Sequence, residues 1–284
     1  MLSLHTNNAA LSAQNSISKT QQSLSTSMTR LSTGFRVNSA MDDAAGLQIA
    51  TRLKAQTSGM TVAMQNTQNS TSMLQTAEGA FNEVQSMLIR MKDLATQAAD
   101  ASSTTKDKDA MQAEFDALGT ELGNVLKNTT FGGSTLLVGG TIASAMTFQI
   151  GAAASETMAV DLSTQMTAVA TDVAAGTANY AAPNTVGTEL TGAANATITL
   201  LNTAIDSVGK VQSALGAAAN RLDHINTNLA NISTNTKAAT GRIMDVDYAA
   251  ESSKMTSSQM LLQAGTAMLK QSNSMSSMVM SLLQ

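Results

Sequence analysis

The chain has 284 residues, a formal net charge of −4 and no cysteine. That balance gives no basic surface for a nucleic-acid partner, and the missing thiols exclude disulfides, thiolate metal sites and thiol catalysis. Aromatic residues make up 2% of the chain, tryptophan is absent, and there are 19 methionines and a single proline, Pro183. A core of this kind must be built from Ala, Leu, Met, Ile and Val, which suits narrow helix–helix contacts, and so little proline permits very long helices.

The charge is unevenly placed. Residues 1–41 and 252–284 contain no Asp or Glu, so all 20 acids lie between Asp42 and Glu251. Of the first 33 residues, 19 are Ser, Thr, Asn or Gln, yet Leu11, Ile17, Leu24, Met28 and Leu31 keep a sparse helical spacing. Such a tail has too little apolar surface to fold alone. Plain disorder is one reading. The other is folding coupled to packing among many copies, which the lack of acids suits, because identical copies would bring like charges together.

Val37–Leu47 reads as a helix start. Ser39 and Asp42 have capping-box spacing, and Asp42 and Asp43 put negative charge in the first turn. Without a nearby His or third acid they make no metal or acid–base site. The helix should run from about residue 43 to 99, since Leu53, Met60, Thr67, Leu74, Phe81, Leu88 and Ala95 recur every seven residues, with Ala77, Val84, Met91 and Ala98 beside them. That heptad seam lets one helix lie along another. Asp100–Thr105 is a polar break, and a second helix should occupy about 106–128.

After Thr129 the period changes. Phe131, Gly132 and Gly133 and then Gly139 and Gly140 bracket a strand candidate at Thr135–Val138. Met146, Phe148 and Ile150 alternate with polar residues, as do Met158, Val160 and Leu162, which predicts small β-hairpins. Residues 164–196 are rich in Ala, Thr, Gly and Asn without firm periodicity and read as a short surface excursion. From Thr197 a second seam follows at Leu201, Val208, Leu215, Leu222 and Leu229, with Ile225 and Ile232 alongside. It breaks near Gly241 and resumes in the C-terminal tail at Leu261, Met268, Met275 and Leu282, flanked by Leu262 and Leu269.

The fold class is therefore mainly α: a long antiparallel helical coiled-coil rod with a small β-hairpin region. No cofactor or metal is expected. The glycines match no nucleotide-binding loop, His5 and His224 cannot pair by spacing, Tyr180 and Tyr248 are isolated, and nothing supports catalysis. No N-terminal stretch has the pattern of a secretory signal peptide, and no apolar run approaches the roughly 20 residues that span a bilayer, so membrane insertion is not expected.

The stretch Arg30–Ala50, RLSTGFRVNSAMDDAAGLQIA, resembles the N-terminal signature of bacterial flagellins. The resemblance continues through Asn66–Asn69, Gln75–Ala80, Arg90–Ala98 and Asn128–Gly132. Arg242–Ala249, Gln263–Leu269 and Ser281–Gln284 resemble the C-terminal signature. The resemblance implies a self-polymerising structural subunit of the flagellar filament, working in motility. Its two tails, 1–44 and 245–284, would pair as helices in an inner core of the assembled filament. A rod would comprise 45–165 with 197–244, and 166–196 would be a short variable surface segment, making this a near-minimal member. The resemblance further implies export through the flagellar type III apparatus without a cleaved signal, an extracellular location, and a secretion chaperone on Leu261–Leu283. Cap and hook-associated proteins are the other expected partners. Arg90, Leu94 and Glu114 stand at positions matching a patch that Toll-like receptor 5 of animal hosts recognises in many flagellins, although Ile89 and Met91 depart from the commoner residues. A solvated face or a subunit contact is the other reading of Arg90 and Glu114. Met41 replaces a frequent Lys, and Ser276 and Ser277 replace Pro–Gln, so the last helix should run on unbroken. A hook–filament junction protein, and a host-receptor ligand or adhesin, are the alternatives.

Overall fold

The computed structural model describes residues 7–281, with side chains as far as Met275. His5 and Leu282 lie outside the described residues. The chain is mainly helical: α1 (Asn8–Thr33), α2 (Ala44–Ala99), α3 (Thr105–Asn128), α4 (Ser163–Gly176), α5 (Glu189–Gly192), α6 (Ala194–Met244) and α7 (Tyr248–Ser281). Four short strands form two hairpins, β1 (Thr130–Phe131) with β2 (Ser134–Thr135), and β3 (Met146–Gln149) with β4 (Thr157–Val160), both antiparallel. The residues fall into two compact units, Ser58–Ser233 and the pair of segments Met1–Thr57 and Thr234–Gln284.

The unit Ser58–Ser233 holds the main core. Leu74, Phe81 and Leu88 of α2, Phe115, Leu122 and Leu126 of α3, and Leu201, Val208, Leu215 and Leu222 of α6 are all buried in one cluster. Within it α2 and α6 run antiparallel. Met60 and Ala63 pack with Leu229, whereas the Gln212 amide donates to Asn82 Oδ1 at 2.9 Å, so rising numbers on one helix meet falling numbers on the other. α3 is fixed at its start by a complete capping box, in which Thr104 and Asp107 each bond the other's backbone N–H. The Thr104 hydroxyl, donating to the Asp107 carboxylate at 2.6 Å, and after it the Thr104 N–H hold that carboxyl below its ordinary pKa.

At the β1–β2 turn, Gly132 and Gly133 have φ of +59° and +86°. Both values lie in the left-handed region that a two-residue hairpin loop of this kind needs and that glycine enters without steric cost. The strand expected at Thr135–Val138 is displaced by this turn. β2 is Ser134–Thr135, and Leu136 and Leu137 leave the ladder to enter the core. β3 and β4 register Met146 with Val160 and Phe148 with Met158, so the alternating apolar residues share one face.

The segment 166–196 departs from the expected surface excursion. Met166, Val169 and Val173 form the buried stripe of α4, and Tyr180 and Leu190 are buried as well. The stripe of α4 is part of the apolar core cluster, and the stretch after it is held by a polar network on α3. Asp116 Oδ1 accepts from the amides of Gln112 and Asn179, both at 2.8 Å, and Asp116 Oδ2 accepts from the Gly187 N–H at 3.1 Å. Gln112 bonds onward to Glu189 at 2.9 Å and accepts from the Leu190 N–H at 2.7 Å. Gly119 lets the chain approach closely, since a Cβ there would lie 2.5 Å from Thr177 Oγ1. Asp116→Ala removes the acceptor of the Asn179 amide and the Gly187 N–H, leaves the Gln112 amide with Glu189 alone, and should lower the unfolding free energy by about 2–4 kcal/mol in urea titration. A change below about 0.5 kcal/mol would mean that this carboxylate does not anchor the segment.

Candidate assembly surfaces

In the other unit α1 and α7 lie antiparallel. Asn7 caps α1 by accepting from the Ala10 N–H at 3.1 Å, and its amide reaches the Ser272 carbonyl at 3.2 Å near the far end of α7. At the opposite end Ser27 donates to the buried carboxylate of Glu251. Arg30 stands between Asp42 at 3.7 Å and Glu251 at 3.9 Å. Gly34, with φ of +77°, ends α1. The chain then makes a two-strand bridge, the Arg36 N–H donating to the Met244 carbonyl at 2.6 Å and the Val246 N–H to the Gly34 carbonyl at 3.0 Å. Asp247 starts α7 by accepting from the N–H groups of Ala249 and Ala250.

The start of α2 differs from the expected capping box. Asp42 accepts from the N–H groups of Asn38 and Ser39 and from the Ser39 hydroxyl, closing a turn before the helix. The cap itself is Asp43, whose carboxylate accepts from the Gly46 N–H at 2.8 Å. The backbone bond from Ser39, followed by that from Asn38, is the main reason the Asp42 pKa is lowered.

The apolar residues of the two terminal helices divide into two sets. Ile17, Leu24 and Leu31 of α1 and Met255, Leu262 and Leu269 of α7 are half-buried, while Ser27, Glu251 and Ser258 are buried. A Cβ on Gly265 would lie 2.9 Å from Ile17, so the helices approach closely there. Glu251, Met255, Ser258, Leu262, Gly265, Leu269 and Ser272 advance by alternating steps of four and three and make one face of α7. Leu261, Met268 and Met275 are 62%, 68% and 58% exposed. With Met260, Ala264 and Ala267 they form a second face, turned roughly 130° from the first at 3.6 residues per turn. Gln259, Gln263 and Lys270 occupy a third, polar side. On α1, Leu11 and Met28 are likewise exposed.

The seven-residue repeat in the C-terminal tail thus marks the free face of α7, and the flanking Leu262 and Leu269 mark the face toward α1. Sequence reasoning passed over Ser27, Glu251, Ser258 and Gly265 because small and polar residues carry no apolar signal, although their heptad spacing with Leu262 and Leu269 could have disclosed them. The last helix does continue through Ser276 and Ser277. Of the two inner seams, Leu53 is half-buried, and Met60, Leu74, Phe81, Leu88, Leu201, Val208, Leu215, Leu222 and Leu229 are buried. Arg90 and Glu114 form a surface ion pair at 2.7 Å, whereas Leu94 is buried in the core. Among the described residues no cluster of three His, Cys, Asp or Glu could hold a metal, and no helix is long and apolar enough to cross a membrane.

Residues 4–141 match the family model described as the bacterial flagellin N-terminal helical region, and residues 198–283 match that of the bacterial flagellin C-terminal helical region. The chain belongs to the bacterial flagellins. It is 35% identical to flagellin A of Vibrio anguillarum and 32% identical to polar flagellin C of Vibrio parahaemolyticus, in each case over the whole of both chains. Those alignments run to 379 and 385 positions, so they open long gaps in this shorter flagellin. A flagellar hook-associated protein from Vibrio parahaemolyticus shares the fold, with a TM-score of 0.58 at 16% identity, covering 72% of this chain and all of that one. This flagellin is a structural subunit of the flagellar filament and assembles with copies of itself.

The terminal hairpin buries only Ser27, Glu251 and Ser258 fully among the described side chains of α1 and α7, and none of these is apolar. It should therefore open far more readily than the core of Ser58–Ser233. Amide hydrogen exchange on the free full-length flagellin should be at least about a hundredfold faster in α1 and α7 than in the buried stretch of α6 from Val208 to Leu222. Equal protection in the two regions would contradict this.

Proposed function

We propose that the exposed face of α7 centred on Leu261, Met268 and Met275 is where neighbouring flagellin subunits dock, and that the inner-core residues divide their work by face. Ile17, Leu24, Leu31, Leu262 and Leu269 hold the hairpin together inside one chain. Leu11, Met28, Leu261, Met268 and Met275 meet other copies. The observation carrying this reading is the spacing by seven of three large apolar side chains, each more than half exposed, on a helix whose opposite side is already occupied. A lone exposed apolar residue is ordinary, but a continuous stripe marks an interaction surface.

The charge pattern supports the same reading. α1 and α7 carry a single acid between them, Glu251, which is turned inward against Ser27 and Arg30. Stacked identical copies therefore meet no acidic groups on the apolar face. A patch on one copy that docks on a different patch of the next is heterologous and does not close, and repetition of that contact yields an open helical filament. Ordering of the weakly held hairpin is offset by the apolar surface buried on docking.

Before assembly such a stripe needs cover, and a secretion chaperone over Leu261–Leu283 fits it. A hairpin that opens readily suits threading through the flagellar export apparatus to an extracellular site, where cap and hook-associated proteins would guide the subunit. The pair Arg90–Glu114, with the half-exposed Ile89 beside it, is the surface left to a receptor such as Toll-like receptor 5.

Leu261→Asp in the full-length flagellin should abolish filaments in seeded polymerisation viewed by electron microscopy, while circular dichroism shows the helicity of the unaltered protein. Leu261→Met should polymerise. Normal filaments from Leu261→Asp would sink the assignment.

A further inference from the structure

Three methionines, Met260, Met268 and Met275, lie on the free face of α7 and are 59%, 68% and 58% exposed. Methionines of the core are in the opposite situation: Met60, Met91, Met158 and Met166 are buried. The chain has no cysteine, so no thiol stands ahead of these thioethers as a target for a two-electron oxidant. Among the described residues Met28 of α1 and Met41 before α2 are exposed as well, at 56% and 97%, so what distinguishes the three is that they lie together on the face of α7 assigned above to subunit docking.

We propose that Met260, Met268 and Met275 are a peroxide-sensitive modification site whose sulfoxide form prevents a free subunit from joining the filament. The inference rests on the docking assignment made above. A sulfur lone pair attacks one oxygen of hydrogen peroxide. The O–O bond breaks as the S–O bond forms, the sulfur loses two electrons, and the displaced hydroxide takes the remaining proton and leaves as water. The product replaces a flexible apolar group with a polar, chiral one. On a face that must be buried against a neighbour, each sulfoxide carries an oxygen acceptor into an apolar contact without a donor. Once docked, the same sulfurs are covered. The site therefore reads the state of unassembled subunits only, and damaged subunits are rejected at the growing end.

The test uses full-length flagellin dissociated to monomers, treated with hydrogen peroxide, mapped by peptide mass spectrometry and returned to filament seeds. Sulfoxide at residues 260, 268 and 275, with the core methionines unmodified, should lower the seeded elongation rate at least tenfold. Treatment with methionine sulfoxide reductases of both stereospecificities should restore it. Met41, 97% exposed and placed in the turn before α2, is the control: Met41→Leu should stay as peroxide-sensitive as the unaltered chain. The variant carrying Leu at 260, 268 and 275, and also at 28 to remove the exposed methionine of α1, should elongate at its own untreated rate after peroxide. Oxidised monomers that elongate normally, a loss that persists after the three sulfoxides are reduced, or a Met41→Leu protein that resists peroxide would each overturn the proposal. Preformed filaments separate the docking face from the switch. Slow oxidation of the three methionines in filaments, with normal elongation by oxidised monomers, would leave the docking face standing and remove the switch. Oxidation at the same rate in filaments and monomers would remove the docking face itself.

Discussion

The close approach of α1 and α7, with Gly265 against Ile17 and Ser27 bonded to Glu251, is the contact on which the proposed docking face depends. It fixes which side of α7 is used inside the chain and which side is left for others. Had the large residues at Leu261, Met268 and Met275 been placed against α1, the hairpin would be stable alone and would have nothing apolar to offer a neighbour. On the inner face the fully buried positions are the polar Ser27, Glu251 and Ser258, and the apolar Ile17, Leu24, Leu31, Met255, Leu262 and Leu269 are only half-buried, so close packing there contributes modest hydrophobic stabilisation.

The unit Ser58–Ser233 shows the other extreme. There α2, α3, α4 and α6 bury Phe81, Phe115, Leu122, Met166, Val208 and Leu215 in one cluster, and a polar network around Asp116 ties the segment after α4 to α3. Losing one such side chain from a packed core costs a few kcal/mol. The chain thus joins a unit with a large apolar core to a hairpin that leaves Leu261, Met268 and Met275 exposed, and on the proposed reading neighbouring copies complete that hairpin.

Much of this was legible in the sequence because heptad spacing reports burial directly. Leu74, Phe81 and Leu88, and Leu201, Val208, Leu215 and Leu222, are buried where the spacing put them. The pair of glycines after Phe131 announced the β1–β2 turn. Other features were hidden for physical reasons. α4 presents Met166, Val169 and Val173 among Ala and Thr, a stripe too narrow to stand out, and its neighbourhood is held by amides and carboxylates whose partners are far away in sequence. The helix cap fell on Asp43 rather than Ser39, because Asp42 was already engaged with the turn before it. Periodicity could say that the C-terminal tail had a seam, but not which of two adjacent seams faced the chain's own partner helix. That distinction needs α1 in place.

The most direct measurement is a helical reconstruction, by electron cryomicroscopy, of filaments grown from the full-length flagellin. Leu261, Met268 and Met275 should be packed against a neighbouring copy and closed to solvent, with Leu262 and Leu269 still against α1 of their own chain. Finding those three side chains facing solvent, in a channel or on the outer surface, would contradict the division of α7 into an inward face and a docking face.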